Sequence, residues 1–124
     1  MLRSYRDLLV WQKAVELAVL IYRLTEGFPK REIYGLASQI RRAGVSVPSN
    51  VAEGYGRGSR KEYLRFLSIA QGSLKELETQ TILAQRLGYA TVSQAERILS
   101  DSEIVGKMLG GLIRSLRVKG ASKE

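Results

Sequence analysis

The 124-residue sequence contains no cysteine and no histidine. Without cysteine there is no disulfide, no thiolate metal site and no cysteine nucleophile, and without histidine there is no imidazole for acid–base catalysis. Long hydrophobic runs are also missing, because the most apolar run, residues 17–22, is far shorter than the roughly 20 residues of a membrane-spanning helix. The N-terminus lacks a signal-peptide pattern. These absences predict a cytoplasmic, non-enzymatic protein without metal, cofactor or membrane contact.

Positive charge is in excess. Twenty lysines and arginines stand against twelve acidic residues, which gives a formal net charge of +8. Hydrophobic residues make up 44 % of the chain, a content that predicts a folded domain, and the length suits one domain, residues 1–124. A small basic protein attracts polyanions, so nucleic acid is the first candidate partner.

Four segments carry apolar residues three and four positions apart, the spacing of helices with one buried face. They cover about residues 8–26, 31–55, 60–87 and 93–117, and leave a polar tail at 118–124. Ser59-x-x-Glu62 and Ser93-x-x-Glu96 have the capping-box pattern of helix starts. Pro48 predicts a kink or break in the second helix. Long helices with short connections favour an all-α, antiparallel up-down-up-down four-helix bundle.

The first helix is too apolar for a solitary subunit. Between Leu8 and Leu24 all four polar residues fall on one stripe about 100° wide, and the rest of the circumference is apolar. Fold-back of the polar C-terminal tail is the weaker explanation, so we expect burial against further copies in a cyclic homo-oligomer. The predicted interface residues, in some combination, are Val10, Trp11, Leu17, Leu20, Ile21 and Leu24.

Polar side chains line one face of the second helix, and two interpretations of them stay open. They satisfy backbone groups freed by Pro48, or they form a surface for phosphate and sugar contacts. We also expect Glu53 and Glu76 to meet across the second and third helices and to fix the register of the bundle. The predicted structural polar network is Gln39, Ser46, Ser49, Asn50, Glu53, Glu76 and Gln80.

The densest interior group of cations surrounds the glycine-rich connection at residues 54–58. It enters a predicted helix N-terminus, where backbone amides favour anions. A flexible connection with solvated charges is the alternative. The predicted nucleic-acid contacts are first Arg57, Arg60, Lys61 and Arg65, and second Arg41, Arg42, Arg114 and Arg117.

Two motifs in the sequence resemble a known family. The pattern QxRRAxxSxPSNxAEGxGR begins at Gln39, and GSLxELETQ begins at Gly72. Together with YRDLLVWQKAVELAVLIYRLTEGFP, they resemble the bacterial four-helix-bundle proteins encoded by 23S rRNA intervening sequences, over about residues 5–117. Gln71 stands where arginine is the more typical residue. The resemblance implies a basic, RNA-binding homopentameric ring.

A more distant similarity is to the accessory protein of diversity-generating retroelements, a basic pentamer that binds nucleic acid and a reverse transcriptase. The sequence therefore predicts a homo-oligomer, a pentamer by resemblance, that binds RNA or other nucleic acid through phosphate contacts. The alternative is a protein-interaction hub that docks a reverse transcriptase or a ribosomal component.

Overall fold

The structure, a computed structural model, describes the backbone of residues 2–123 and the side chains of residues 2–119. Four helices account for most of the chain: α1 Leu9–Thr25, α2 Leu36–Gly56, α3 Arg60–Arg86 and α4 Val92–Lys123. Short 3₁₀ turns at Tyr5–Asp7 and Lys30–Glu32 precede α1 and α2. No strand occurs in the described residues, so the all-α prediction is confirmed.

Each helix packs against the next, and α4 also packs against α1, while the backbones of α1 and α3, and of α2 and α4, do not approach each other closely within the described chain. The four helices therefore surround one core. Its fully buried side chains come from every helix and include Leu17, Ile40, Leu74 and Leu109. No helix of the described chain is long and apolar enough to span a membrane.

The second helix begins five residues later than predicted. The Lys30–Glu32 turn and residues 33–35 precede it, and the Glu32 carboxylate accepts a hydrogen bond from the Leu36 amide at 3.0 Å. The carboxylate thus satisfies one of the amides that a helix start leaves free. The α-helix continues through Pro48 without a break.

The fourth helix begins earlier and ends later than predicted. The Thr91 hydroxyl accepts from the Gln94 amide at 3.0 Å, and the Gln94 side chain accepts from the Thr91 amide at 2.9 Å. This reciprocal pair is the capping box of α4, so its assignment to Ser93 and Glu96 was wrong. The helix extends to Lys123, into the segment predicted as a polar tail.

Candidate nucleic-acid interface

The connection between α2 and α3 is only three residues long, Arg57 to Ser59. Gly58 has φ of +78°, a left-handed conformation that glycine adopts without a steric penalty. The Ser59 hydroxyl caps α3 by accepting from the Glu62 amide at 3.1 Å. Only this half of the predicted capping box forms, because the Glu62 carboxylate is bonded to Arg65 at 2.9 Å instead. The chain thus reverses tightly, with cations on both sides of the connection.

Gly54 lets α2 and α3 approach each other closely just before this connection. A Cβ atom at Gly54 would lie 2.8 Å from the Phe66 Cβ and 3.3 Å from the Tyr63 carbonyl oxygen. Two arginines lie over the Phe66 ring, with the Arg57 and Arg65 guanidinium carbons 5.1 and 4.5 Å from the ring centroid. Two of the predicted contact residues are therefore positioned on the same aromatic side chain.

The same two arginines are ion-paired. Arg57 donates to Glu53 at 3.0 Å, and Arg65 donates to Glu62 at 2.9 Å. The hydrogen bond from Arg65 is the main reason why the pKa of Glu62 lies below its ordinary value, so this carboxylate stays charged at neutral pH. Both pairs lie on the surface and are open to exchange with other anions.

Arg60 and Lys61, the other two residues of the first predicted set, form no ion pair in the described chain. Lys61 is exposed, whereas Arg60 is half-buried and lines a depression together with Lys119 of α4 and the rings of Tyr55 and Tyr63. The structure therefore brings the end of α4 against the α2–α3 connection.

The Tyr63 hydroxyl at this depression is buried and has no hydrogen-bond partner in the described chain. Burial, with a smaller contribution from Tyr55, raises the pKa of Tyr63 to about 12. The phenol is therefore neutral at physiological pH and adds no negative charge beside Arg60.

The second predicted set is dispersed. Arg41 donates to the Thr25 hydroxyl at 2.6 Å and lies 4.9 Å from the centroid of the Tyr22 ring, so it connects α2 to α1. Arg42 is exposed on α2, and Arg114 borders a groove between α3 and α4. Arg117 is exposed on α4 and follows Leu116, which lines the same depression as Arg60.

Two further cations of this region were missed from the sequence. Tyr5 lines a surface depression with Arg57 and Glu53, so the N-terminal turn lies beside the end of α2, and it brings Arg6 with it. Lys119 was missed because it was assigned to the tail. The sequence signal for both residues was the presence of several lysines and arginines near each end of the chain. We call this region the basic end, formed by Arg6, Arg57, Arg60, Lys61, Arg65, Arg117 and Lys119.

The predicted polar network is smaller than expected. The Ser46 hydroxyl lies 2.8 Å from that of Ser73, and the Asn50 amide donates to the Ser46 carbonyl at 2.7 Å. Gln39, Ser49 and Glu76 are exposed, and their side chains form no hydrogen bond within the described residues, whereas Gln80 has a buried Oε1 without a partner.

Glu53 and Glu76 do not meet, so that prediction was wrong. Both are exposed, and Glu53 is paired with Arg57. The contact of Ser46 with Ser73 places Glu76 beside the middle of α2, far from Glu53. No cluster of acidic residues suited to a metal ion occurs in the described part of the chain.

The predicted interface on α1 was also largely wrong. Val10, Leu17, Ile21 and Leu24 are buried in the core of the same chain, and Trp11 and Leu20 pack partly buried against it. The exposed apolar side chains of α1 are instead Leu9, Val19 and Tyr22. The apolar circumference therefore does extend beyond the core, on a side that the sequence did not identify.

Three comparisons with known proteins bear on this arrangement. Residues 6–111 match the model of a family described as 23S rRNA-intervening sequence protein. The chain is also similar to a crystal structure of a protein of unknown function from the S23 ribosomal protein family of Bacteroides thetaiotaomicron, with 30 % identity and a TM-score of 0.76 over 85 % of this chain and 98 % of that chain. No curated protein matches.

Proposed function

Because this chain belongs to the 23S rRNA-intervening sequence protein family, we propose that it is a non-enzymatic homo-oligomer that binds RNA through phosphate contacts at the basic end. The convergence of Arg57, Arg60, Lys61 and Arg65 around the α2–α3 connection, with Lys119 added from α4, carries the proposal. Among the described residues, the seven cations of the basic end have three carboxylates near them, those of Asp7, Glu53 and Glu62.

The chemistry of these side chains suits phosphate. Guanidinium groups offer paired donors that match phosphate oxygens, and the Phe66 ring limits the freedom of Arg57 and Arg65 before binding. Exposed ion pairs contribute little to stability, so a phosphate can displace Glu53 or Glu62 at little cost. Arg60 and Lys61 are available without such exchange. None of these contacts reads a base, so we expect weak sequence preference.

Association of copies is part of the proposal. Two observations support an up-down-up-down topology. The helices are joined by short connections, and α2 and α3 are antiparallel, because Ser46 contacts Ser73 while Gly54 contacts Phe66. Apolar side chains left exposed on α1 support burial against another copy. A pentameric ring, as the family resemblance implies, would carry five times +8, about +40, and would repeat the basic end around its axis.

Salt-dependent binding of a hairpin RNA, followed by fluorescence anisotropy, tests the proposal. If four phosphates are neutralised per chain, log K falls with log salt at a slope of about −3.6, so affinity drops roughly 100-fold between about 50 and 200 mM salt. The double variant Arg60→Gln with Lys61→Gln loses two of these contacts, so its slope should be shallower, about −1.8. The loss should be similar for hairpins of unrelated sequence.

Lys75→Gln with Arg86→Gln is the matched control, because it removes the same charge from two exposed positions in the middle and at the end of α3, away from the basic end. An equal loss of affinity in both double variants would show that net charge alone governs binding. Absence of binding at low salt by the wild-type oligomer would refute the RNA proposal and favour the protein-interaction hub, in which the ring docks a reverse transcriptase.

A further inference from the structure

Tyr34 is the most exposed large hydrophobic residue of the described chain, with 96 % of its surface accessible, and the adjacent Ile33 is 54 % exposed. We call these two residues the apolar knob. They lie between α1 and α2 on a turn that is closed by a hydrogen bond from the Gly35 amide to the Glu32 carbonyl. Tyr34 makes no hydrogen bond, ring contact or ion pair within the described residues.

The turn is held firmly to the bundle. One carboxylate oxygen of Glu32 accepts from the Leu36 amide at 3.0 Å, and the other accepts from the Tyr89 hydroxyl at 2.9 Å. The Tyr89 ring in turn packs on Phe28, with centroids 5.6 Å apart. The hydrogen bond from the Leu36 amide is the main reason why the pKa of Glu32 is lowered, so the carboxylate keeps both bonds at neutral pH. The backbone of the knob is thus fixed before a partner binds, which lowers the entropic cost of docking.

A depression of about 490 Å³ lies on the outer side of α1 and α2. Three side chains on its walls, Val19, Tyr22 and Val45, are 41–45 % exposed in the single chain. We call it the apolar groove. Its lining consists of the charged Arg23 and Glu26 and of six apolar residues, Val15, Ala18, Val19, Tyr22, Val45 and Pro48. The single chain thus leaves both a protruding apolar surface, the knob, and a concave one, the groove, exposed to solvent.

We propose that the apolar knob of one copy inserts into the apolar groove of the next copy. The inference rests on the proposed homo-oligomer and names the surfaces that form it. Because the knob and the groove are different surfaces, the contact is head-to-tail, and such contacts close into rings or grow into filaments. A tyrosine buries about 200 Å², so knob and groove supply the apolar centre of an interface of standard size, about 800 Å² per partner.

Directed cross-linking tests the pairing, and the absence of native cysteine removes background labelling. Tyr34→Cys and Val19→Cys are prepared as single variants and are mixed with a short bismaleimide. The mixture should give a cross-linked dimer, whereas either single variant alone should give little. The double variant should give a ladder up to the full oligomer. Tyr34→Cys mixed with Lys75→Cys, an exposed position on α3, is the control and should stay uncross-linked.

Tyr34→Ala provides a second measurement. Tyr34 is exposed, so helix content should be unchanged, while the association constant should fall roughly 30-fold or more, as for an interface hot spot. Dimers from Val19→Cys alone would indicate a two-fold contact and would overturn the pairing. An intact oligomer in Tyr34→Ala with weakened RNA binding would also overturn it and would make Tyr34 an RNA contact. A wild-type monomer at micromolar concentration would instead refute the homo-oligomer itself.

Discussion

Substitution of Gly54 tests the close approach of α2 and α3 on which the basic end depends. In Gly54→Ala the new methyl group would lie 2.8 Å from the Phe66 Cβ and 3.1 Å from the Tyr63 Cδ1. The Phe66 Cβ is fixed to the α3 backbone, so the helices must separate by several tenths of an ångström. Overpacking of this kind costs about 1–3 kcal/mol, whereas replacing glycine by alanine inside a helix returns about 1 kcal/mol.

The net expectation is a loss of up to about 2 kcal/mol of unfolding free energy, which lowers Tm by up to roughly 10 °C. Gly72→Ala is the matched control, because a Cβ atom at this exposed position of α3 meets nothing within 4 Å. It should raise stability by about 0.5–1 kcal/mol. Thermal unfolding is followed by circular dichroism at one fixed protein concentration, since any association of copies would add to apparent stability.

The two substitutions should therefore have opposite signs although they make the same chemical change. Gly54→Ala should also displace Phe66 and reduce the salt dependence of RNA binding, because Arg57 and Arg65 both lie on that ring. A Gly54→Ala variant as stable as Gly72→Ala would refute the reasoning, since it would show that the helices have room for the methyl group.

Three further outcomes follow from single contacts. Glu62→Gln should tighten RNA binding several-fold at low salt and less at high salt, because it frees Arg65; unchanged anisotropy titrations would contradict this. Tyr63→Phe should raise stability by about 1 kcal/mol, because it removes a buried hydroxyl without a partner. It should also remove the loss of stability that Tyr63 causes in the wild type as pH rises from about 10, its pKa in the unfolded chain, to about 12, its pKa in the folded chain. Thr91→Ala should cost about 1 kcal/mol in chemical denaturation, and Ser93→Ala almost nothing, because Thr91 caps α4.

The four helices could be predicted from the sequence because the spacing of apolar residues is a local property of each helix. The start of α2 could not. It is delayed because Glu32 is bonded to Tyr89, which lies 57 positions further along the chain. The start of α4 was ambiguous for a different reason, since Thr91-x-x-Gln94 and Ser93-x-x-Glu96 both fit the capping pattern.

The candidate site was predictable in part for similar reasons. Arg57, Arg60, Lys61 and Arg65 are close in sequence, so their proximity in space follows from a short connection. Lys119 joins them only through the packing of α4, which no local pattern reports. The interface residues were misplaced because an apolar circumference indicates that α1 has more apolar surface than one core face needs, but it does not show which side faces the core of its own chain.

The basic end and the apolar knob lie where α2 ends and where it begins, and α2 has 21 residues, which makes it about 30 Å long. Neither the knob nor the groove contains a residue of the basic end, so association through these two surfaces would not use its cations. In a closed ring with cyclic symmetry all copies are equivalent, so the basic ends would lie at the same height along the ring axis. One RNA could then contact several copies, and the gain in affinity would come from multivalency without any new contact. The two proposals are thus compatible, and each depends on surfaces that the other does not use.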